Sequence, residues 1–431
     1  MSRNRFKDFP PNVQQLVLGF EQQQGRYGHY LDIEEVEIIA DYYLEVQDIE
    51  GLQAAVRYGE QLFPDDDAIL LRKSHLLCIQ GNYEKSLLIL KNLEQRNPND
   101  TDVCYALGTL YSMKEQSAKA IQYYRKASAD GFELDMIYGN MGDEYYKLGK
   151  YEESLRYYKK SIEKNCHEER SMYNLTNLMN EQGRQEEAQE YFTALLSDHP
   201  YSQEAWYCLG CVEYWMGLYE KSIDAFEYAL AIDKTLGNAY FGLSDCHRQL
   251  GNIPLAVQAL RDSLPYTDNK PYVHYCIGHL YTEAGNHHTA MTYLHDVIKE
   301  DPADSNAWAD LGVCNESLGY SEEAAGCYRR AIDLDPDNDS NWIVLADLYM
   351  HNNQCSQACD LLESNVMNAC EPLLFNMRLA VCYIQMGRCN RLVRLIQENK
   401  EMINDIVNFI RSDYPELLDN PSLVNLRDDE R

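Results

Sequence analysis

The chain resembles itself every 34 residues: Gly108, Gly142, Gly210, Gly278 and Gly312 are all separated by 34 or a multiple of it. Frames of that length can be laid end to end from Ile33, starting at 33, 67, 101, 135, 169, 203, 237, 271, 305 and 339. Ten of them reach Pro372 without an insertion or a deletion, and an eleventh begins at Leu373 and fades near residue 400. So strict a period makes each copy one supersecondary unit that buries its apolar face by stacking on its neighbours. It selects a linear array over the two or three globular domains that 431 residues could otherwise form.

The columns of the frame predict a pair of helices. The eighth place is always small: Ala40, Ser74, Gly108, Gly142, Thr176, Gly210, Ser244, Gly278, Gly312, Ala346 and Ala380. The twentieth is small in nine of eleven frames, as at Ala120, Ala188, Ala256, Ala290, Ala324 and Ala358. Small residues at both places let two helices approach closely. The large residue at the twenty-fourth place, such as Tyr124, Tyr158, Phe192, Phe226, Leu260 or Tyr328, fills the gap to the next pair.

Between the helices lies a turn. Gly81, Gly149, Gly183, Gly217, Gly251, Gly285, Gly319 and Gly387 hold its fifteenth place, where a left-handed residue ends the first helix, and Asn353 tolerates that conformation. Asn82, Asn252 and Asn286 follow and are expected to cap the second helix, with Pro254 in its first turn. Pro64, Pro98, Pro200, Pro302 and Pro336 are placed to stop it.

This pattern resembles the tetratricopeptide repeat family, in which an aromatic residue, Leu-Gly, a Tyr, an Ala, an aromatic, an Ala and a Pro recur. Trp206, Leu209, Gly210, Ala225, Phe226 and Ala229 carry one copy, and Trp308, Leu311, Gly312, Ala324, Tyr328, Ala331 and Pro336 another. It departs at Lys73, where Leu is usual, at Glu213 in place of Tyr, and at Leu52 in place of a small residue. The resemblance implies an all-α, right-handed superhelical solenoid of ten to eleven helix-turn-helix repeats with capping helices.

The array is expected over 33–400, with segments 1–32 and 401–431 flanking it. Val13, Leu16, Val17 and Phe20 share one face of a short helix after Asn12. This helix either docks on the first repeat as a cap or inserts into a groove. The rest of its segment, around Pro10-Pro11 and Gln22-Gln23-Gln24, is expected to be mobile. Met402, Ile403, Ile406, Phe409 and Ile410 form a second apolar stripe suited to capping the other end, while Arg427-Asp428-Asp429-Glu430-Arg431 should fray.

A net charge of −31 opposes binding to nucleic acid, which needs clustered cations, and to anionic membrane surfaces. No window approaches the ~18–20 apolar residues of a membrane span, and the first residues lack a signal-peptide pattern. With fourteen cysteines in so long a chain, a soluble, reduced, cytoplasmic protein is expected. Charge is uneven: the first frame sets ten acids against Arg57, the tenth has five acids and no Lys or Arg, and frames two to four balance.

No phosphate-binding loop, dinucleotide glycine motif or nucleophile elbow occurs, so no enzyme activity and no cofactor are expected. Cys208-Leu209-Gly210-Cys211 has CxxC spacing, but Leu209 and Gly210 are core columns inside a helix, and the pair reads as packing residues. Cys276 and His279 stand two frames away, too far to share a metal with it. His287-His288, Cys355 and Cys389 likewise read as packing substitutions.

The resemblance further implies that first helices line a concave face along which ligands lie. The groove places then hold Asn140, Tyr146 and Lys147 in the fourth frame and Arg170, Tyr173, Asn174, Asn177 and Asn180 in the fifth. The sixth adds Tyr207, Tyr214 and Trp215, the seventh Phe241 and Arg248, and the eighth Tyr275. Tyr and Trp give contact area at low entropy cost, and Asn amides pair with peptide backbone. Lys147, Arg170 and Arg248 are candidates to recognise acidic side chains or a C-terminal carboxylate. No three frames carry the Lys, Asn and Arg set with which some members clamp chaperone tails. The expected function is a non-enzymatic scaffold for a protein or peptide partner. The alternatives are an array blocked by its own terminal segment and a thiol or metal protein using Cys208 and Cys211.

Overall fold

A computed structural model of the chain describes residues 9–22, 31–129, 131, 133–399 and 403–417. The mobility expected around Gln23-Gln24, the fraying expected of 427–431 and the placement of Met402 lie outside the described residues. Among those described there are twenty-four α-helices and no strand, so the all-α expectation holds. They fall into two compact units, Met1–Leu218 and Tyr219–Arg431.

The first unit opens with α1 (Pro11–Gln22), then α2 and α3 (Ile33–Glu45, Ile49–Leu62), α4 and α5 (Asp67–Ile79, Tyr83–Arg96), and α6 and α7 (Thr101–Met113, Ser117–Ala127). It continues with α8 and α9 (Leu134–Lys147, Tyr151–Lys164), α10 and α11 (Glu169–Glu181, Gln185–Asp198), and α12 (Gln203–Trp215). The second unit holds α13 (Tyr219–Ile232), α14 and α15 (Gly237–Gln249, Ile253–Ser263), α16 and α17 (Lys270–Glu283, His287–Glu300), and α18 and α19 (Ser305–Ser317, Ser321–Leu334). Its last helices are α20 and α21 (Asp339–His351, Cys355–Asn365), α22 and α23 (Pro372–Gln385, Cys389–Glu398), and α24 (Ile403–Asp413). All eleven second helices begin at the seventeenth place of their frame.

That regularity comes from the turn. In the second frame the Gly81 N–H bonds to the Cys78 carbonyl at 2.9 Å and the Asn82 N–H to the Leu77 carbonyl at 2.8 Å, with Gly81 at φ 74°. These are the paired bonds of a Schellman motif. The bond of wider sequence span, from the sixteenth place back to the eleventh, recurs in every frame from Asp48 and Tyr43 to Arg388 and Tyr383. The fifteenth place is left-handed in all eleven frames, including Gln47 and Glu115, each at φ 56°. A side chain there is strained by about 1–2 kcal/mol, and glycine's greater freedom in the unfolded chain offsets about 0.5–1 kcal/mol of any relief. Gln47→Gly and Glu115→Gly, both at exposed positions, are therefore expected to stabilise the protein by about 0.5–1 kcal/mol each. Urea denaturation checks this; a lowered midpoint would contradict it.

The expectation that Asn82, Asn252 and Asn286 cap the second helices is corrected: none of these side chains accepts from a backbone N–H of the helix start, and Asn286 accepts instead from the Thr289 hydroxyl at 2.9 Å. The turn holds their ψ at 54°, 61° and 62°, far from the extended geometry that lets a cap reach into the first turn, such as ψ 135° at Asp66. Side-chain caps are found instead mainly on first helices, among them Asp66, Asp100, Ser202 and Asp304, and on the second helix α3, where Asp48 accepts from the Gly51 N–H at 3.0 Å. Second helices do stop two residues before Pro64, Pro98, Pro200, Pro302 and Pro336. Trp206, Trp308 and Trp342 then donate their indole N–H to the carbonyls of Pro200, Pro302 and Pro336 at 2.9, 3.1 and 2.9 Å.

Within a hairpin, the eighth-place glycine meets the twenty-fourth-place ring. A Cβ on Gly108, Gly142 or Gly312 would stand 2.6, 2.5 or 2.4 Å from the rings of Tyr124, Tyr158 or Tyr328. Successive repeats are tied by Arg125 donating to Tyr145 Oη at 2.5 Å and Arg329 to Tyr349 Oη at 2.6 Å. The departures from the family pattern are absorbed: Lys73 pairs with Glu60, Glu213 accepts from Gln189 at 2.9 Å, and Leu52 is buried.

At one end Val17 and Phe20 are buried, and the Phe20 ring lies 6.4 Å from Tyr43 and 5.8 Å from Tyr58, seating α1 on α2 and α3. At the other, Ile406 and Ile410 of α24 are buried in a cluster that includes Phe375 and Leu379 of α22. No helix among the described residues is long and apolar enough to cross a membrane.

Candidate peptide groove

Two clefts adjoin on the first unit. The larger, about 570 Å³, is lined by Asp135 and Met136 of α8, Asn165, His167 and Glu168 of the α9–α10 connection, and Glu169, Arg170, Tyr173 and Asn174 of α10. The smaller, about 250 Å³, is lined by Asp143, Tyr146 and Lys147 of α8, Tyr158 of α9, and Asn174, Asn177, Leu178 and Glu181 of α10. Asn174 lines both. The 34-residue register places these groups together, because equivalent positions of neighbouring first helices stand side by side.

Polar contacts fix the floor. Asp143 Oδ1 accepts from Asn174 Nδ2 at 2.9 Å and from the Tyr158 hydroxyl at 2.7 Å, and Arg170 approaches Asp143 Oδ2 at 3.4 Å. Arg170 also donates to Asn140 Oδ1 at 2.9 Å, and Asn140 donates to the Tyr105 hydroxyl at 3.0 Å. Lys147 Nζ lies 2.6 Å from Glu144 Oε1 and 3.0 Å from Ser112 Oγ. Burial pushes the Glu144 carboxyl up, but the hydrogen bonds from Lys147 and Ser112 outweigh it and hold the group below the usual carboxylate range. For Tyr173, burial and the adjacent Glu169 carboxylate act together to push the phenol up.

Six of the fourteen residues expected in the groove line the two clefts: Tyr146, Lys147, Arg170, Tyr173, Asn174 and Asn177. Asn140 braces them. Asn180 is taken up by the turn, accepting from Gln185 at 2.7 Å. Tyr207 packs edge-on against Tyr173 with ring centres 5.3 Å apart. Tyr214 and Trp215 line neither cleft, and Trp215 stays 38 % exposed, unlike the three proline-bonded tryptophans.

Phe241, Arg248 and Tyr275 belong to the second unit. There Arg248 pairs with Asp245 at 3.5 Å and Glu283 at 3.6 Å, and Tyr275 stacks on His279 at 5.9 Å. All three candidate cations thus already face carboxylates.

Sequence reasoning passed over Glu144. It is buried at the tenth place, where other frames carry Leu76, Leu110, Leu178 or Leu280, and that exception was its signal. It also left unnamed Asp135, Met136, Glu169 and Glu181, which line the clefts. The Cys208 thiol is fully buried and pushed well above its usual range by that burial, which opposes thiolate chemistry. Among the described residues no group of three or more His, Cys, Asp or Glu could hold a metal ion.

Helical hairpins in an unbroken 34-residue register, bearing a cleft between first helices, define a helical-repeat protein of the kind that binds other proteins or peptides. The chain carries tetratricopeptide repeats: models of that repeat match residues 101–128, 136–167, 170–202, 203–236 and 277–339. It is 24 % identical over 155 residues to the tetratricopeptide repeat-containing protein trd-1 of Caenorhabditis elegans, covering 35 % of this chain and 20 % of that one. Against Superkiller complex protein 3 of Mus musculus identity is 33 % over 72 residues, 17 % of this chain and 5 % of that one. The chain thus spans at most 20 % of the length of these curated relatives. Among solved structures, the Cut9 and Hcn1 hetero-tetramer of APC/C aligns over 93 % of this chain and 95 % of that one at 12 % identity and TM-score 0.41. YrrB, described as having an unusual peptide-binding site, aligns over 46 % and 97 % at 23 % identity and TM-score 0.35.

Proposed function

We propose that the protein is a non-enzymatic scaffold or adaptor that holds an extended segment of a partner protein across the two clefts of α8 and α10. The observation that carries this reading is their continuity: both open on the same pair of first helices and share Asn174. The exposed Asn177 amide offers a donor and an acceptor to a peptide backbone, and the exposed Tyr146 and Met136 offer apolar contact. A self-blocked array is disfavoured because α1 seats on α2 and α3 and contributes no residue to either cleft. Fourteen cysteines in so long a chain are in keeping with a reducing compartment such as the cytoplasm.

The test is affinity capture from cell extract with quantitative mass spectrometry, comparing the intact chain with a Met136→Ala, Tyr146→Ala, Asn177→Ala variant. Partners retained by the first and lost by the second, at unchanged circular dichroism, are the expected result. Identical partner sets would remove the clefts from the function.

A further inference from the structure

We infer that the segment received by these clefts is cationic and places a Lys or Arg side chain against α10; the inference rests on the groove reading above. Six carboxylates line or underlie the clefts: Asp135, Asp143, Glu144, Glu168, Glu169 and Glu181. Against them stand two cations, Lys147 and Arg170, and both are engaged from within. Lys147 is held by Glu144, while the Arg170 guanidinium is divided between Asp143 and Asn140. Neither is free to clamp an incoming carboxylate.

The surplus is negative and open to solvent. Among the described residues, Glu181 receives the Tyr146 hydroxyl at 3.1 Å and Asp135 the Asn165 amide at 3.0 Å, both neutral donors. Glu169 and Glu181 are exposed. A cleft lined by one sign of charge raises the local concentration of opposite charge and repels its own. The Tyr146 and Tyr173 rings give the alkyl stem or guanidinium face of a long cation an apolar wall, leaving its head for a carboxylate. The charge complementarity therefore reverses the expectation from sequence that Lys147 and Arg170 select acidic ligands.

Fluorescence anisotropy on the intact chain tests this with labelled peptides of equal length on a Gly-Ser-Asn background, carrying three Lys, three Arg, three Glu or no charge. The Lys and Arg peptides are expected to bind about tenfold more tightly than the neutral one at low salt, with the gap closing as salt rises. Glu169→Lys with Glu181→Lys should reverse the preference. Glu322→Lys with Glu323→Lys, the same charge change at exposed positions of α19, should leave it intact. Tighter binding of the Glu peptide, no advantage of Lys or Arg over neutral, or a Lys preference that survives the α10 reversal would each overturn the inference. The Met136→Ala, Tyr146→Ala, Asn177→Ala variant separates the two readings. If it abolishes binding of a preferred Glu peptide, the groove stands and the cationic inference falls. If it changes no affinity, the groove reading falls as well.

Discussion

Phe192→Ala is expected to destabilise the protein by about 3–5 kcal/mol, the usual range for emptying a fully buried aromatic site. Phe192 is 0 % exposed and is the twenty-fourth-place residue of the fifth repeat. The cavity would open inside a layer of rigid helices that can close on it only partly. Since whole domains are stable by about 5–15 kcal/mol, urea denaturation followed by circular dichroism should show a large fall in midpoint. Phe192→Leu supplies the residue used at the same place by Leu90, Leu260, Leu294 and Leu362, and should lose less than about 1.5 kcal/mol. An alanine variant within about 1 kcal/mol of the parent would mean that this column does not hold the repeats together.

Gly142→Ala carries the second large effect, and its sign is the informative part. On helix propensity alone the change would stabilise α8 by about 1 kcal/mol. Here the added Cβ would lie 2.5 Å from the Tyr158 ring, and the hydroxyl of that ring is anchored to Asp143 at 2.7 Å. The ring cannot swing away without releasing the floor of the groove, so a net loss of about 1–3 kcal/mol is expected. Adding Tyr158→Leu should recover part of it. The chain makes that case itself: Tyr124, Tyr158 and Tyr328 each face glycine, whereas leucine at the same place is matched with Ser74, Ser244, Gly278 or Ala346. A stabilised single variant, or a double variant worse than the single, would refute the packing argument.

The register of the array, the left-handed turn and the apolar or aromatic residue at the twenty-fourth place were all legible in the sequence. Each is imposed on every copy, so the period averages over local exceptions. Two kinds of information were not legible. The first is backbone geometry that overrides residue preference: Gln47 and Glu115 adopt a conformation suited to glycine, and Asn82 sits at a cap position without capping. The second is charge state in context. Lys147, Arg170 and Arg248 look like ligand-seeking cations until their partners are placed, and the partners of Arg170 and Arg248 include carboxylates from neighbouring first helices. Glu144 showed itself as a break in an apolar column, but a rule that reads only outward-facing places could not register it.

Each hairpin is closed by two main-chain bonds and one left-handed residue, and nine second helices start with no side-chain cap. The joint therefore asks almost nothing of the side chains around it. A stretch running from one turn to the next carries both halves of a joint intact, like a link bounded by two identical welds. Such a chain can grow or shrink by whole links without redesigning the weld. What a new link must bring of its own is the partner for its neighbour's ring and the charges it adds to the shared face, and there one copy can differ in meaning from the next.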